Sequence, residues 1–341
     1  MKNRTKAFLL SIVIGGILIY YNYSKFGITD VFEAFKNFTP TLLLTYASAV
    51  ILIELFLVVR WNIILNSFKL KVPFHNLFLY RMSGYAVGYL SPQAHIGGEP
   101  VRALLLKRHN IKFKKGISTV LIDKSMQITT DVLFATLGAF SLILHFSISR
   151  KITALIIGFI LAWVLLLIFY FYCMIKKKPF FSAVLNLKVL KKFKSMRKLK
   201  KDVLEVEHII HTFYVEHRKS FLKVVFINLF LYTLMVIEYS SAIALFGFTP
   251  SFYTTFIVMG GVAFSYSFPV PMALGVLETA QVSALGILDL NKAIGLSISI
   301  LVRLKDVMRT LIGGLSLFYY GMSLGLIWKQ IKGKKNAEQT K

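Results

Sequence analysis

Long apolar runs separated by short polar punctuation organise this chain, and they are of two kinds. Ala7 to Tyr23, Thr41 to Leu65, Ile117 to Phe146, Ile152 to Ile175, Phe221 to Phe246 and Ala293 to Trp328 are nearly continuous. A helix crosses a bilayer with about 20 predominantly apolar residues, so these six are predicted full spans, the last long enough to tilt. Two further runs, Phe74 to His109 and Phe252 to Leu290, are broken by Gly and Pro and hold ionisable residues. Irregular backbone survives at membrane depth only where protein buries it or a wet cavity borders it. Each broken run therefore reads as a re-entrant helical hairpin. The predicted fold is an all-α polytopic membrane protein, one integral domain over 1–341, with about six full spans and two re-entrant hairpins at 74–109 and 252–290. Eight full spans is the competing arrangement.

Lysine and arginine placement sets the expected orientation. Lys2, Arg4 and Lys6 mark the N-terminal tail, 1–6, as cytoplasmic. Between Ser24 and Pro40, Lys25 and Lys36 balance Asp30 and Glu33, so that loop can lie outside. Arg60, Lys69 and Lys71 before the first broken run, and Lys107, Arg108, Lys112, Lys114 and Lys115 at and after its end, read as inside. Lys176 to Lys201 holds eleven Lys or Arg and no acid, which marks the 176–220 loop as cytoplasmic. Lys329, Lys332, Lys334 and Lys335 place the C-terminal tail, 329–341, inside as well. The hairpins then enter from opposite faces, as inverted repeats do.

Composition agrees. Of 341 residues, 56% are hydrophobic, too many for a soluble surface to cover. The net charge of +26 sits in segments beside the apolar runs, which fits anionic lipid better than nucleic acid. Cys173 is the single cysteine, so an intramolecular disulfide and a multi-cysteine metal site are excluded, and no cofactor motif is expected. The N-terminal apolar run is followed by Tyr20, Tyr21, Asn22 and Tyr23 rather than a small-residue cleavage site, so it reads as a retained helix.

The chemistry concentrates in the broken runs. Gly97-Gly98-Glu99-Pro100-Val101-Arg102 has glycines whose amides can converge on an anion and a proline suited to a helix start. Arg102 can clamp phosphate, and Glu99 can hold that arginine or a substrate amine. The bland alternative is a turn stitched by a Glu99–Arg102 pair. Arg81 shares the segment, and His95 there reads as a satisfied hydrogen-bonder. In the second run, Pro269, Pro271 and Gly275 break the helix, and Glu278 is the only charge between Phe252 and Leu288. Its expected partner is Arg303, which recurs with Asp306 and Arg309 every three residues on the last span. Asp123, Gln127 and Asp131 form a polar stripe that must face protein or water, with Lys124 beside it able to snorkel. Glu54 and Glu238 are lone acids within spans and candidate proton-coupling groups.

Together these motifs resemble the transmembrane region of lysylphosphatidylglycerol synthases, a flippase-like family. The Gly-Glu-x-x-Arg element stands at Gly98 to Arg102, and Pro-x-x-x-Gly-Val-x-Glu at Pro271 to Glu278. An arginine follows at Arg303, and an acid–base pair at Asp123-Lys124 stands where Glu-Arg is usual. The Asp expected four residues later is Gln127, with Asp131 one turn beyond. The resemblance, over roughly residues 5 to 330, implies translocation of a phospholipid or polyprenyl phosphate, or association with lipid-linked metabolism.

The expected site is accordingly a lipid-headgroup site built from Arg81, Gly98, Glu99, Arg102, Asp123, Glu278, Arg303 and Asp306, in a cell-membrane protein whose partners are anionic membrane lipids. A non-transporting scaffold or accessory subunit, with a protein partner at the basic loop, is the second reading. An intramembrane transferase is the third: the chain has no soluble domain of the synthase kind and no Asp-x-Asp sugar-nucleotide motif.

Overall fold

The computed structural model describes residues 13–22, 24, 35, 38–91, 97–146, 149–185, 194–268, 270–288, 290 and 292–321. His95, Pro269, both tails and residues 186–193 of the basic loop lie outside the described residues. Within them the chain is helical and contains no strand. The elements are α1 (Val13–Asn22), α2 (Pro40–Ser67), α3 (Phe74–Leu90), α4 (Glu99–Leu105), α5 (Phe113–His145), α6 (Arg150–Ile175), α7 (Phe181–Leu185), α8 (Lys194–Glu216), α9 (Arg218–Leu245), α10 (Phe252–Tyr266), α11 (Val276–Ile287) and α12 (Lys292–Tyr319).

Four helices are long and apolar enough to cross a membrane: α2, α5, α6 and α9. α12 matches α2 and α9 in length, at 28 residues. It carries four charges between Arg303 and Arg309 and packs on α3 and α11, while Leu304, Met308, Leu311 and Leu315 on its other face are exposed. The chain is an integral, all-α polytopic membrane protein.

The broken runs double back on themselves. In the first, α3 leads to α4 and a short 3-10 turn over Leu106–His109. The crossing is so tight that a Cβ on Gly98 would fall 2.0 Å from the Gly84 carbonyl oxygen. Gly98 is therefore required by backbone packing, a demand the anion reading of the glycines did not foresee. In the second, α10 starts on a Ser251–Thr254 capping box. A 3-10 turn at Pro271–Ala273 then leads into α11. Gly275, at φ +72°, makes this turn beneath α1, where a Cβ would lie 2.4 Å from Leu18 Cβ.

The hairpins open at opposite ends of the bundle. At one end Arg108 donates to the Tyr320 carbonyl (2.9 Å) and Tyr320 to Asn76 Oδ1 (3.1 Å), tying hairpin one to the end of α12. Nearby Lys114 pairs with Asp202 and Glu205 of α8, both at 2.6 Å. At the other end His145 of α5 stacks on Tyr253 at the start of hairpin two, 4.6 Å between centroids.

Two apolar cores bracket the polar middle. One gathers Tyr46, Phe134, Phe246, Ile257, Leu277 and Val302; the other gathers Trp61, Leu77, Val101, Leu105, Val120 and Leu317. Glu54 on α2, Asp123, Lys124 and Asp131 on α5, and Arg303, Lys305, Asp306 and Arg309 on α12 fall between the positions that join these cores, while Arg60 lies within the second. Packing on both sides thus fixes the depth of the charges.

Candidate functional site

Between the two cores lies a cavity of about 390 Å³ that α2, α3, α4, α5, α6, α9, α10 and α12 all help to line. Its polar lining includes Glu54, Arg81, Glu99, Arg102, Lys124, Asp131, Glu238, Lys305, Asp306 and Arg309. Opposite these, α6 and α10 contribute Phe159, Ile160, Trp163 and Phe264. Phe159, Trp163 and Phe264 are exposed on the isolated protein, so the cavity borders the lipid-facing surface. One wall suits a charged group and the other an alkyl chain.

Asp123 is the hub of the charged wall, and only 1% of it is exposed. Its Oδ1 accepts from Arg60 Nε at 2.8 Å, and its Oδ2 accepts from Arg102 Nη2 at 2.8 Å and Arg81 Nη1 at 3.3 Å. Arg60 also donates to Asn228 Oδ1 at 2.6 Å. Arg102 lies over the Trp61 ring, 4.1 Å from its centroid, which fixes the guanidinium plane. One carboxylate thus faces three guanidiniums. Asp123 does not itself line the cavity, whereas Arg81 and Arg102 do. The positive charge stands in front and its counter-charge behind.

These contacts correct three expectations. Glu99 and Arg102 do not pair: Glu99 meets Lys124 Nζ at 3.4 Å and Arg102 meets Asp123. The stitch runs from hairpin one to α5, because adjacent residues of α5 present an acid and a base to residues three apart on α4. Arg60 is not a loop charge marking the inside; it lies within α2, buried against Asp123. Lys124 does not snorkel outward, since it lines the cavity.

The acids that stand alone in the sequence also have partners. Glu54 meets Arg309, and lies 3.8 Å from Arg81. Glu238 meets Lys305. Asp306 accepts hydrogen bonds from Tyr85 (2.6 Å) and Tyr266, one tyrosine from each hairpin, and lies 3.5 Å from Arg309.

Glu278 and Arg303 form their expected pair, bidentate at 2.9 and 3.0 Å. The same guanidinium donates to Tyr89 Oη (3.1 Å), the Ala273 carbonyl (3.1 Å) and the Met272 carbonyl. All five of its N–H groups are therefore used. Met272 and Ala273 have φ of +57° and +47°, and two left-handed non-glycine residues in succession cost on the order of 1–3 kcal/mol each. Arg303 holds that turn in place. Neither Glu278 nor Arg303 lines the cavity.

The site residues read from sequence thus separate. Arg81, Gly98, Glu99, Arg102 and Asp306 line the cavity. Asp123 backs it, and Glu278–Arg303 clamps the tip of hairpin two. Sequence reasoning did not pick out Lys305, Tyr85 or Tyr266; a lysine two residues from Arg303 was the available signal. Buried Nε atoms of Arg81, Arg102 and Arg309 and Oε2 of Glu99 have no hydrogen-bond partner. No group of three His, Cys, Asp or Glu suited to a metal occurs among the described residues.

The sequence profile described as the lysylphosphatidylglycerol synthase TM region matches residues 8–313. A UPF0104 membrane protein of Methanothermobacter thermautotrophicus is 27% identical over 148 residues, 43% of this chain and 44% of that relative, so less than half of each is aligned. Another UPF0104 membrane protein, from Pyrococcus horikoshii, is 25% identical over 275 residues, 75% of this chain and 80% of the relative.

Proposed function

The chain belongs to the lysylphosphatidylglycerol synthase transmembrane-region family, and from that premise we propose that it moves a phosphate-bearing lipid between leaflets. The headgroup passes through the cavity while the acyl or prenyl chains remain against the apolar wall. The observation that carries this reading is the front-to-back order of charge: Arg81 and Arg102 line the cavity and Asp123 stands behind them. Guanidinium pairs recognise phosphate oxygens through parallel N–H donors, and the buried Nε atoms of both arginines make no hydrogen bond. Arg303 drops out of the phosphate role because its donors are saturated, so Arg81 takes that place beside Arg102.

The hairpins supply the access. The paired helices α3 and α4, and α10 and α11, span 17, 7, 15 and 12 residues, each short of the roughly 20 that cross a bilayer. Both hairpins are read as re-entrant, dipping from opposite faces, with both termini cytoplasmic as the basic segments require. Alternating exposure of the cavity comes from one hairpin-bearing half moving against the other.

Leaflet exchange of fluorescent phospholipids and polyprenyl phosphates in proteoliposomes tests this, with Glu99→Gln and Lys124→Gln checked for unaltered folding by thermal unfolding. Exchange selective for phosphate headgroups, and reduced about tenfold or more by either change, is expected. Exchange equal to that of protein-free vesicles across the panel would overturn the reading.

A further inference from the structure

The cavity's acids are not alike. Glu54, Glu99, Glu238 and Asp306 each lie within ion-pair distance of a base. Asp131 lines the same cavity, and among the described residues it has no ion pair and no hydrogen bond. It stands eight residues beyond Asp123 on α5, about 12 Å along a helix. It is exposed, opening onto a cavity whose facing wall is Phe159, Ile160 and Trp163. An ionised carboxylate without a counter-ion is expensive to keep at that depth, whereas a carboxylic acid is far cheaper there.

The groups around it are few. Lys124 on α5 and Arg60 on α2 are the neighbouring bases, and both are engaged, with Glu99 and with Asp123. Tyr232 on α9 has its hydroxyl engaged elsewhere, accepting from Asn228 Nδ2 at 2.7 Å. Glu238, also on α9, is held by Lys305. α4 offers Glu99 and Arg102, and α8 meets α5 through Lys114. α6 has no charged residue from Ile152 to Ile175, its titratable groups being Tyr170, Tyr172 and Cys173. α10 has none at all, and its tyrosines are Tyr253 and Tyr266.

We propose that Asp131 is a proton-binding site that couples movement of the headgroup to a proton gradient, taking a proton from one side and releasing it to the other as the cavity changes its access. This rests on the translocation reading above. It moves the coupling role from Glu54 and Glu238, each already paired with a base on α12, to the carboxylate that has no such partner. A single carboxylate, with no group of three His, Cys, Asp or Glu suited to a metal among the described residues, suits a proton better than a metal cation.

Two measurements on the full-length protein test it. In detergent, infrared difference spectra across a pH titration should show a protonated carboxyl band that is absent from Asp131→Asn, a readout that needs no transport. In proteoliposomes loaded with a fluorescent phosphate-headgroup lipid, an imposed pH gradient should bias the direction of exchange, and Asp131→Asn should bring that bias to about one, the value expected when no proton site couples the two fluxes. An infrared band unchanged by the substitution would overturn the proposal. So would a pH bias that survives it, or a loss confined to amine-bearing lipids without pH dependence, which would mark Asp131 as a headgroup contact. If no lipid exchanges at all but the band is present and lost in Asp131→Asn, the translocation reading fails while the proton site stands.

Discussion

Around the first hairpin one carboxylate serves three guanidiniums; at the tip of the second, one guanidinium serves one carboxylate and three further oxygens. Asp123 is over-subscribed, and two of its partners turn toward the cavity. Arg303 is complete, with every N–H engaged, and is closed off from the cavity. Similar residues in similarly broken segments thus make a surface with chemistry left over and a clamp with none. Two hairpins that look like mirror images in sequence need not share a task.

The largest effect is expected where the imbalance is greatest. Asp123→Asn leaves Arg60, Arg81 and Arg102 without their shared counter-charge, and breaking buried pairs of this kind costs about 3–5 kcal/mol. Thermal unfolding in detergent should show a marked fall in midpoint, with the loss smaller if Arg60→Met is combined with it. Gly98→Ala comes next, because its Cβ meets the Gly84 carbonyl at 2.0 Å and overpacking of this kind costs about 1–3 kcal/mol. The same unfolding assay reads it.

Arg303→Lys tests the clamp. Lysine cannot reproduce a bidentate fork, so faster hydrogen exchange at Met272 to Leu274 is expected while exchange around Asp123 stays as it was. A response at both places would erase the distinction between the two regions. The stitch between α4 and α5 sharpens it further: Glu99→Lys and Lys124→Glu should each destabilise, and the double exchange should recover part of the loss, a coupling on the order of 1 kcal/mol. At the bottom of the scale, Lys177→Ala removes a pair with Glu216 whose side chains are 49% and 55% exposed. No shift of the unfolding midpoint is expected, since exposed pairs contribute little.

Much of this is legible in the sequence. Gly and Pro within apolar runs marked both hairpins, because backbone irregularity has few residue types to work with. Glu278 and Arg303 could be matched because each was scarce in its own segment. Partner choice on the crowded side was not legible. Whether Glu99 meets Arg102 or Lys124 depends on how α4 rotates against α5, and the one-dimensional pattern holds no such angle. Arg60 misled for a related reason: counted with Lys69 and Lys71 as a flanking charge, it sits inside α2, where its buried partner Asp123 comes from another helix. Glu54 and Glu238 looked solitary because Arg309 and Lys305 lie on α12, far along the chain. Periodicity captures neighbours on one helix and is blind to neighbours across two.

The aromatic wall of the cavity has its own consequence. None of the apolar window of α6 is buried, and the helix's buried residues, Tyr170, Cys173 and Met174, are gathered at its C-terminal end. Lipid tails are as apolar as Leu or Phe, so separating the free part of α6 from α10 would exchange one hydrocarbon neighbour for another at small cost. The helix is moored at one end only, like a gangplank, and the bilayer itself is the solvent against which this wall of the cavity stands. Membrane thickness and tail order, properties of the surroundings and not of the chain, thereby enter the free energy of moving that wall.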